Sequence, residues 1–224
     1  AYGGERMTAY LYLPKKALPP YQAVVYFPPG NAMQTEKYDA SYSEDNLDFI
    51  PKSGRALVFP IYKSTFERRD ECKPGTSYRR PAMFRDHVFL WSKDLGRTLD
   101  YLETRKDVER TKLAYLGSSW GAEAAPMFLA VEDRFKAAIL QSGGIRGRHL
   151  PEVEALNFVT RVQTPVLMLN DRYDNIMPVE SSQLPMFRLL GTPTQDKKYV
   201  VFESGHLLMP RKDFIRETLD WLDK

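Results

Sequence analysis

The stretch YLGSSWGAEAAP occupies residues 115–126 and decides the fold. Two adjacent serines stand in a frame of glycines, directly after the apolar run KLAYLG at 112–117. A strand that enters a helix through a very tight turn leaves its central residue strained, with the side chain projecting outward. The residues two before and two after must then be almost free of side chain, which is the physical content of G-x-S-x-G. Centred on Ser119, the frame reads Gly117, Ser118, Ser119, Trp120, Gly121, and it fits. Centred on Ser118, it would need glycine at Leu116 and Trp120, and it fails. A plain glycine-flanked turn with incidental serines also satisfies five residues, so the surroundings carry the argument.

Those surroundings alternate between strand and helix. TAYLYLP (8–14) alternates like a partly exposed strand. QAVVYFP (22–28), RALVFPIY (55–62), FKAAILQ (135–141), PVLMLN (165–170) and KKYVVF (197–202) are short, continuous apolar runs. Such runs read as strands buried on both faces, the mark of a parallel sheet. Phe84, Val88, Trp91, Leu95, Leu99 and Leu102 recur every three to four residues, one face of a long helix. Helices are also expected over 120–132, from Ser181 to Leu190, and at the C-terminal end, where Phe214, Ile215, Leu219 and Leu222 form a stripe. The alternation implies a doubly wound, mostly parallel α/β sheet with right-handed crossovers. Residues 1–224 read as a single domain without a large cap, carrying loop insertions at about 63–82 and 142–163. Both insertions follow strands, so both are expected at the carboxyl edge of the sheet, where ligands bind in such folds.

Bulk properties narrow the function. Hydrophobic residues at 43% and charged residues at 27% suit a soluble globule with a sizeable core. A net charge of +3, spread along the chain, gives no electrostatic case for nucleic acid. Cys72 is the one cysteine, so no internal disulfide can form. No stretch has the ~20 apolar residues of a membrane span, and the opening AYGGERMTAYLYLP is no signal peptide. It begins without Met, as an excised or processed domain would. The compartment stays open.

A serine hydroxyl needs a base, and the base needs a third group to fix its tautomer. Three histidines are available. His87 falls within the long amphipathic helix and reads as a packing or surface residue. His149 falls in the 142–163 segment and reads as a loop residue. His206, in VVFESGHLLMP, follows the last strand. The order Ser, acid, His along the chain, with the acid two strands after the elbow, selects His206. The acid lies in PVLMLNDRYDNIMPVES, where Asp174 is preferred, Asp171 is held in reserve and Glu180 belongs to the solvent face of a helix. Acyl transfer also needs donors for a developing oxyanion. The N–H of Trp120, directly after the nucleophile, is the first. The second is expected from PPGNAMQ (28–34), where Pro28 and Pro29 have no N–H, Gly30 permits close approach and the Asn31 N–H is favoured. A proline-glycine turn with no such role fits that loop as well.

With these residues in hand, the chain resembles an α/β-hydrolase of the dienelactone hydrolase-like and acetyl-esterase-like kind. VVYFPPGNA resembles the oxyanion strand and loop, YLGSSWGAEAAP the elbow, PVLMLNDRYDNIMPVESS the acid loop and FESGHLLMPR the histidine loop. The similarity spans about residues 8–223 and is closest to hydrolase modules on the C-terminal side of bacterial serine/threonine kinases, which implies a larger kinase-fused polypeptide. It implies Ser119, Asp174 and His206 as a triad with Trp120 and Asn31 as oxyanion donors. There are departures. Dienelactone hydrolases proper carry cysteine at the elbow, where this chain has Ser119, which argues for an ordinary ester. Asp171 stands where the family usually has glycine, and Pro29 where many relatives have histidine.

The expected activity is serine-dependent cleavage of a carboxylic ester, small or glycan-linked, with no metal or cofactor, since no His/Cys cluster would hold one. A basic, aromatic rim is expected from Tyr62, Phe66, Tyr78, Arg68, Arg69, Arg79 and Arg80, with Arg146 and Arg148 approaching it; a solvated charged loop fits 63–82 equally well. A serine peptidase would share every catalytic part. A ligand-binding sensor module of the same fold is the alternative from another class, although a binder has no use for a strained serine elbow.

Overall fold

The apolar runs form the strands of a seven-stranded sheet in a computed structural model that describes residues 2–42 and 47–224. The strands are β1 (Ala9–Tyr12), β2 (Tyr21–Phe27), β3 (Ala56–Pro60), β4 (Val108–Ser118), β5 (Phe135–Gln141), β6 (Val166–Asp171) and β7 (Lys197–Phe202). Their order is β1-β3-β2-β4-β5-β6-β7. β2 pairs parallel with β3, and β5, β6 and β7 pair parallel in turn; β1 alone among the paired strands described runs antiparallel, against β3. The sheet is thus mostly parallel, as the continuous apolar runs require, and helices flank it. The principal helices are α1 (Pro81–Thr104), α2 (Trp120–Leu129), α3 (Leu184–Leu189) and α4 (Arg211–Leu222). None of the described helices is long and apolar enough to cross a membrane.

The chain divides into two compact units, 1–26 with 30–113 and 27–29 with 114–224. In the first, α1 opens with Pro81, whose missing N–H costs nothing at that position. It buries the whole expected stripe from Phe84 to Leu102, together with Asp94 and Thr98. Asp94 is not a solvent-face residue. Arg68 donates to it at 2.7 Å, and the Lys63 N–H at 2.8 Å. The expected rim in this unit is divided: its first aromatic residues are interior, while Arg69, Tyr78, Arg79 and Arg80 are exposed. Tyr62 is wholly buried and donates its hydroxyl to the Tyr26 carbonyl, and Phe66 is wholly buried against Tyr38 and Phe59. The reason is physical: an aromatic ring that follows a buried strand gains more from the core than a rim could return. Arg80 pairs with Glu71 on the surface, and Tyr78 and Arg79 are exposed. Burial pushes the Cys72 thiol up to about 11, so it stays protonated at neutral pH. The Gly30–Met33 stretch makes one tight helical turn that buries Ala32 and Met33. Asn31 is exposed there, and its side-chain oxygen accepts the Tyr42 hydroxyl at 2.6 Å.

In the second unit, α2 is buried along its full length, as its run of alanines and apolar residues allows. α4 buries Phe214, Thr218, Trp221 and Leu222. Thr218 and Trp221 take the inward places expected of Leu219 and Ile215, because the inward face follows i, i+4, i+7 from Phe214. Segment 142–163 contains three short turns at 151–153, 155–157 and 159–161.

Candidate active site

The elbow is as tight as its glycines require. Ser119 has φ 50° and ψ −106°, a left-handed conformation for a residue with a side chain, held by its N–H on the Gln141 carbonyl and its carbonyl on the Glu123 N–H, each at 2.8 Å. A Cβ at Gly117 would lie 2.6 Å from the Gly121 carbonyl, and one at Gly121 would lie 2.3 Å from the Phe27 carbonyl. Both positions are therefore closed to any side chain. The Tyr115 hydroxyl pins the same turn by donating to the Gly121 carbonyl at 2.7 Å. Ser118 is turned away, donating to the Gln141 side chain at 2.7 Å.

Three of the expected site residues meet. Ser119 Oγ lies 2.7 Å from His206 Nε2, and His206 Nδ1 lies 2.6 Å from Asp174 Oδ2. A carboxylate only accepts, so Nδ1 carries the hydrogen and Nε2 offers its lone pair to the serine O–H. Asp174 is buried, and its other oxygen accepts the N–H groups of Ile176 and Met177, each at 2.8 Å. The two carboxylate oxygens are thereby divided between backbone and imidazole, which fixes the angle at which the acid meets the ring. Trp120 opens α2 immediately after the serine, so its N–H lies at the positive end of the helix dipole. Asn31 and Gly30 belong to the other unit, as do Tyr62, Arg79 and Arg80.

The two aspartates left open by the sequence have separate places. Asp171 does not reach His206; it is wholly buried and accepts Ser142 Oγ and Ser204 Oγ, each at 2.6 Å. The one sequence signal for it is the departure from the glycine of the resembled family. Glu123 is a residue the sequence reading missed, one helical turn past Ser119. It is buried, and it takes Arg146 in a two-pronged pair and Arg148 at 3.4 Å. These two arginines, expected near a rim, are spent on it. Burial pushes the Glu123 carboxyl up to about 7, against the pull of the Arg148 and His149 charges. His149 itself is shifted down by burial, and its backbone N–H donates to Glu154 at 2.8 Å. His87 is a packing residue, bridging the Met83 carbonyl at 2.7 Å and Asp70 at 3.0 Å. Among the described residues no group of three or more His, Cys, Asp or Glu is placed to hold a metal.

No protein-family model matches the sequence, and no curated protein matches it by sequence. Solved structures do match. A cold-adapted esterase from an Arctic intertidal metagenomic library aligns with a TM-score of 0.77 at 19% identity, over 99% of this chain and 89% of that one. A putative dienelactone hydrolase from Klebsiella pneumoniae gives 0.76 at 19% identity, over 99% and 95%. An acetyl xylan esterase from Paenibacillus sp. R4 gives 0.70 at 18%, over 97% and 79%. The chain has the α/β-hydrolase fold, as its motifs imply.

Proposed function

We propose that this protein is a serine hydrolase of carboxylic esters, working through Ser119, His206 and Asp174. The observation that carries the reading is the unbroken hydrogen-bonded chain from Ser119 Oγ through the imidazole to Asp174, ending on a serine held in a strained elbow. His206 Nε2 takes the serine proton as Oγ bonds to the acyl carbon. The Trp120 N–H faces the negative charge that develops on the carbonyl oxygen. The imidazolium, steadied by Asp174, then returns the proton to the departing alkoxide, leaving an acyl-serine. Water, deprotonated by the same nitrogen, attacks the acyl carbon; the proton goes back to Ser119 and the acid leaves. Water is the sole co-reactant. The names of the similar structures, an esterase and an acetyl xylan esterase among them, support a carboxylic ester, free or linked to a glycan, as the substrate class.

The test is hydrolysis of p-nitrophenyl acetate, butyrate and octanoate by the wild type beside Ser119→Ala. The expected outcome is turnover that falls by ~10³-fold or more in the variant. Equal rates in the two proteins, or covalent labelling by a fluorophosphonate at a residue other than Ser119, overturn the reading.

A further inference from the structure

We propose that Asp171 is a positioning residue that holds the loop carrying His206, an inference that rests on the hydrolase reading above. Asp171 ends β6, where it pairs in register with Phe202, the last residue of β7. The chain leaves β7 and reaches His206 four residues later. On one side of the histidine, Ser204 Oγ donates to Asp171 Oδ1 at 2.6 Å; on the other, the Leu207 N–H donates to Asp171 Oδ2 at 3.2 Å. Ser142, from the end of β5, donates to the same Oδ2 at 2.6 Å and also accepts the Leu207 N–H at 3.2 Å. One buried carboxylate thus grips the histidine loop on both sides of the ring-bearing residue.

The backbone shows why a grip is needed. Leu207 has φ 61° and Ser142 has φ 50°, left-handed conformations that residues with side chains leave unless the surroundings hold them. Both strained residues meet at Asp171. Asp174 fixes the imidazole through the ring nitrogen alone, and a ring held at one atom can still swing with its backbone. Asp171 supplies the second constraint, through the chain. A carboxylate can accept from all three donors at full charge, whereas an amide keeps one accepting oxygen and must reverse the bond to one serine hydroxyl with its NH2 end.

The experiment is Asp171→Asn in the full chain, read in two ways. With p-nitrophenyl acetate, kcat is expected to fall on the order of 10- to 100-fold, as a small misplacement of a catalytic group does, while KM stays within about two-fold. In one-dimensional proton NMR, the far-downfield resonance of the His206 Nδ1–H bonded to Asp174 is expected to broaden or vanish at temperatures where the variant is folded. A wild-type kcat with an unchanged resonance overturns the proposal. So does a loss of rate that matches only a loss of folded protein, counted by circular dichroism and the urea unfolding baseline. If Asp171→Asn does not fold, the half-buried Ser204→Ala decides: a several-fold lower kcat with the same spectral change supports the proposal, and wild-type behaviour overturns it. Absence of any Ser119-dependent turnover would sink the hydrolase reading, and the resonance would still report whether Asp171 positions the ring.

Discussion

Two regions rich in polar and aromatic residues leave the sheet at strand ends, and they use their charges in opposite ways. The loops after β4, β6 and β7 join Ser119, His206 and Asp174 into a chain whose last atom is a serine oxygen. The segment after β3 closes on itself: Arg68 lies on Asp94 and on Glu5, and Phe66 and Tyr62 are buried. In the first region the bonds form one relay, the serine O–H donating to the imidazole and the imidazole N–H to Asp174. In the second the Arg68 guanidinium and the Lys63 N–H both end on Asp94, and the sum is stability. Density of charge and aromatic rings therefore says little about where chemistry is done; whether the bonds link into a relay says more.

The comparison can be broken most decisively at Asp174. Asp174→Asn keeps the shape but offers the imidazole a donor where it needs an acceptor, favouring the wrong tautomer. The expected loss of kcat is ~10⁴-fold, with melting temperature close to the wild type. Steady-state kinetics and a thermal melt on the same preparation check it; a loss of stability as large as the loss of rate would place Asp174 in the same class as Asp94.

The counterpart in the other region is Asp94→Asn. It leaves the Arg68 guanidinium nine-tenths buried with only Glu5 opposite, and breaking a buried ion pair costs ~3–5 kcal/mol. Glu5 retains some of that, so about 3 kcal/mol is expected by urea denaturation. The folded fraction should keep its kcat. A kcat that falls while stability holds would join the two regions in function.

The sequence disclosed the parts of this arrangement that sterics or chain order enforce. The strand runs and the α1 stripe were legible because burial on a fixed period leaves a pattern in composition. Ser119 was legible because Gly117 and Gly121 have no room for a Cβ. His206 was legible because few histidines compete and the order of the fold selects one. The sequence preferred Asp174, the residue that meets His206, but kept Asp171 in reserve, because both lie in one short loop and only the backbone path decides which reaches the ring. Tyr62 was misplaced because the type of residue after a strand does not say which way it turns. Glu123, Ser142 and Ser204 left no signal, since single polar residues on a helix or loop are read as solvated.

Glu123 offers a finer test through pH. Its carboxyl is raised by burial from 4.5 to about 7 in the folded protein, so the folded state holds the proton more tightly than the unfolded chain. Its contribution is fully present below about pH 4.5 and is lost as pH rises toward 7, so stability should fall across that window. Glu123→Gln should flatten the slope, as urea midpoints between pH 4.5 and 7.5 would show. A profile that instead rises in the wild type would mean that the two-pronged Arg146 pair outweighs burial and keeps the group charged.

The smallest effect is expected at the remaining exposed arginines. Arg79 is exposed, and Arg80 pairs with an exposed Glu71, a contact of a kind worth ~0–1 kcal/mol. Arg79→Ala with Arg80→Ala should move stability by less than about 1 kcal/mol. On a neutral ester such as p-nitrophenyl butyrate its kcat/KM should match the wild type. The informative substrate is an ester with a negatively charged acyl group: if these arginines serve only as a solvated surface, its kcat/KM is also unchanged at 0.15 M salt, where surface charges are screened beyond about 8 Å. A selective loss on the charged ester that deepens as salt is lowered would show that part of this segment acts on substrate after all, and the division between a reacting region and a closed one would have to be redrawn at Arg79.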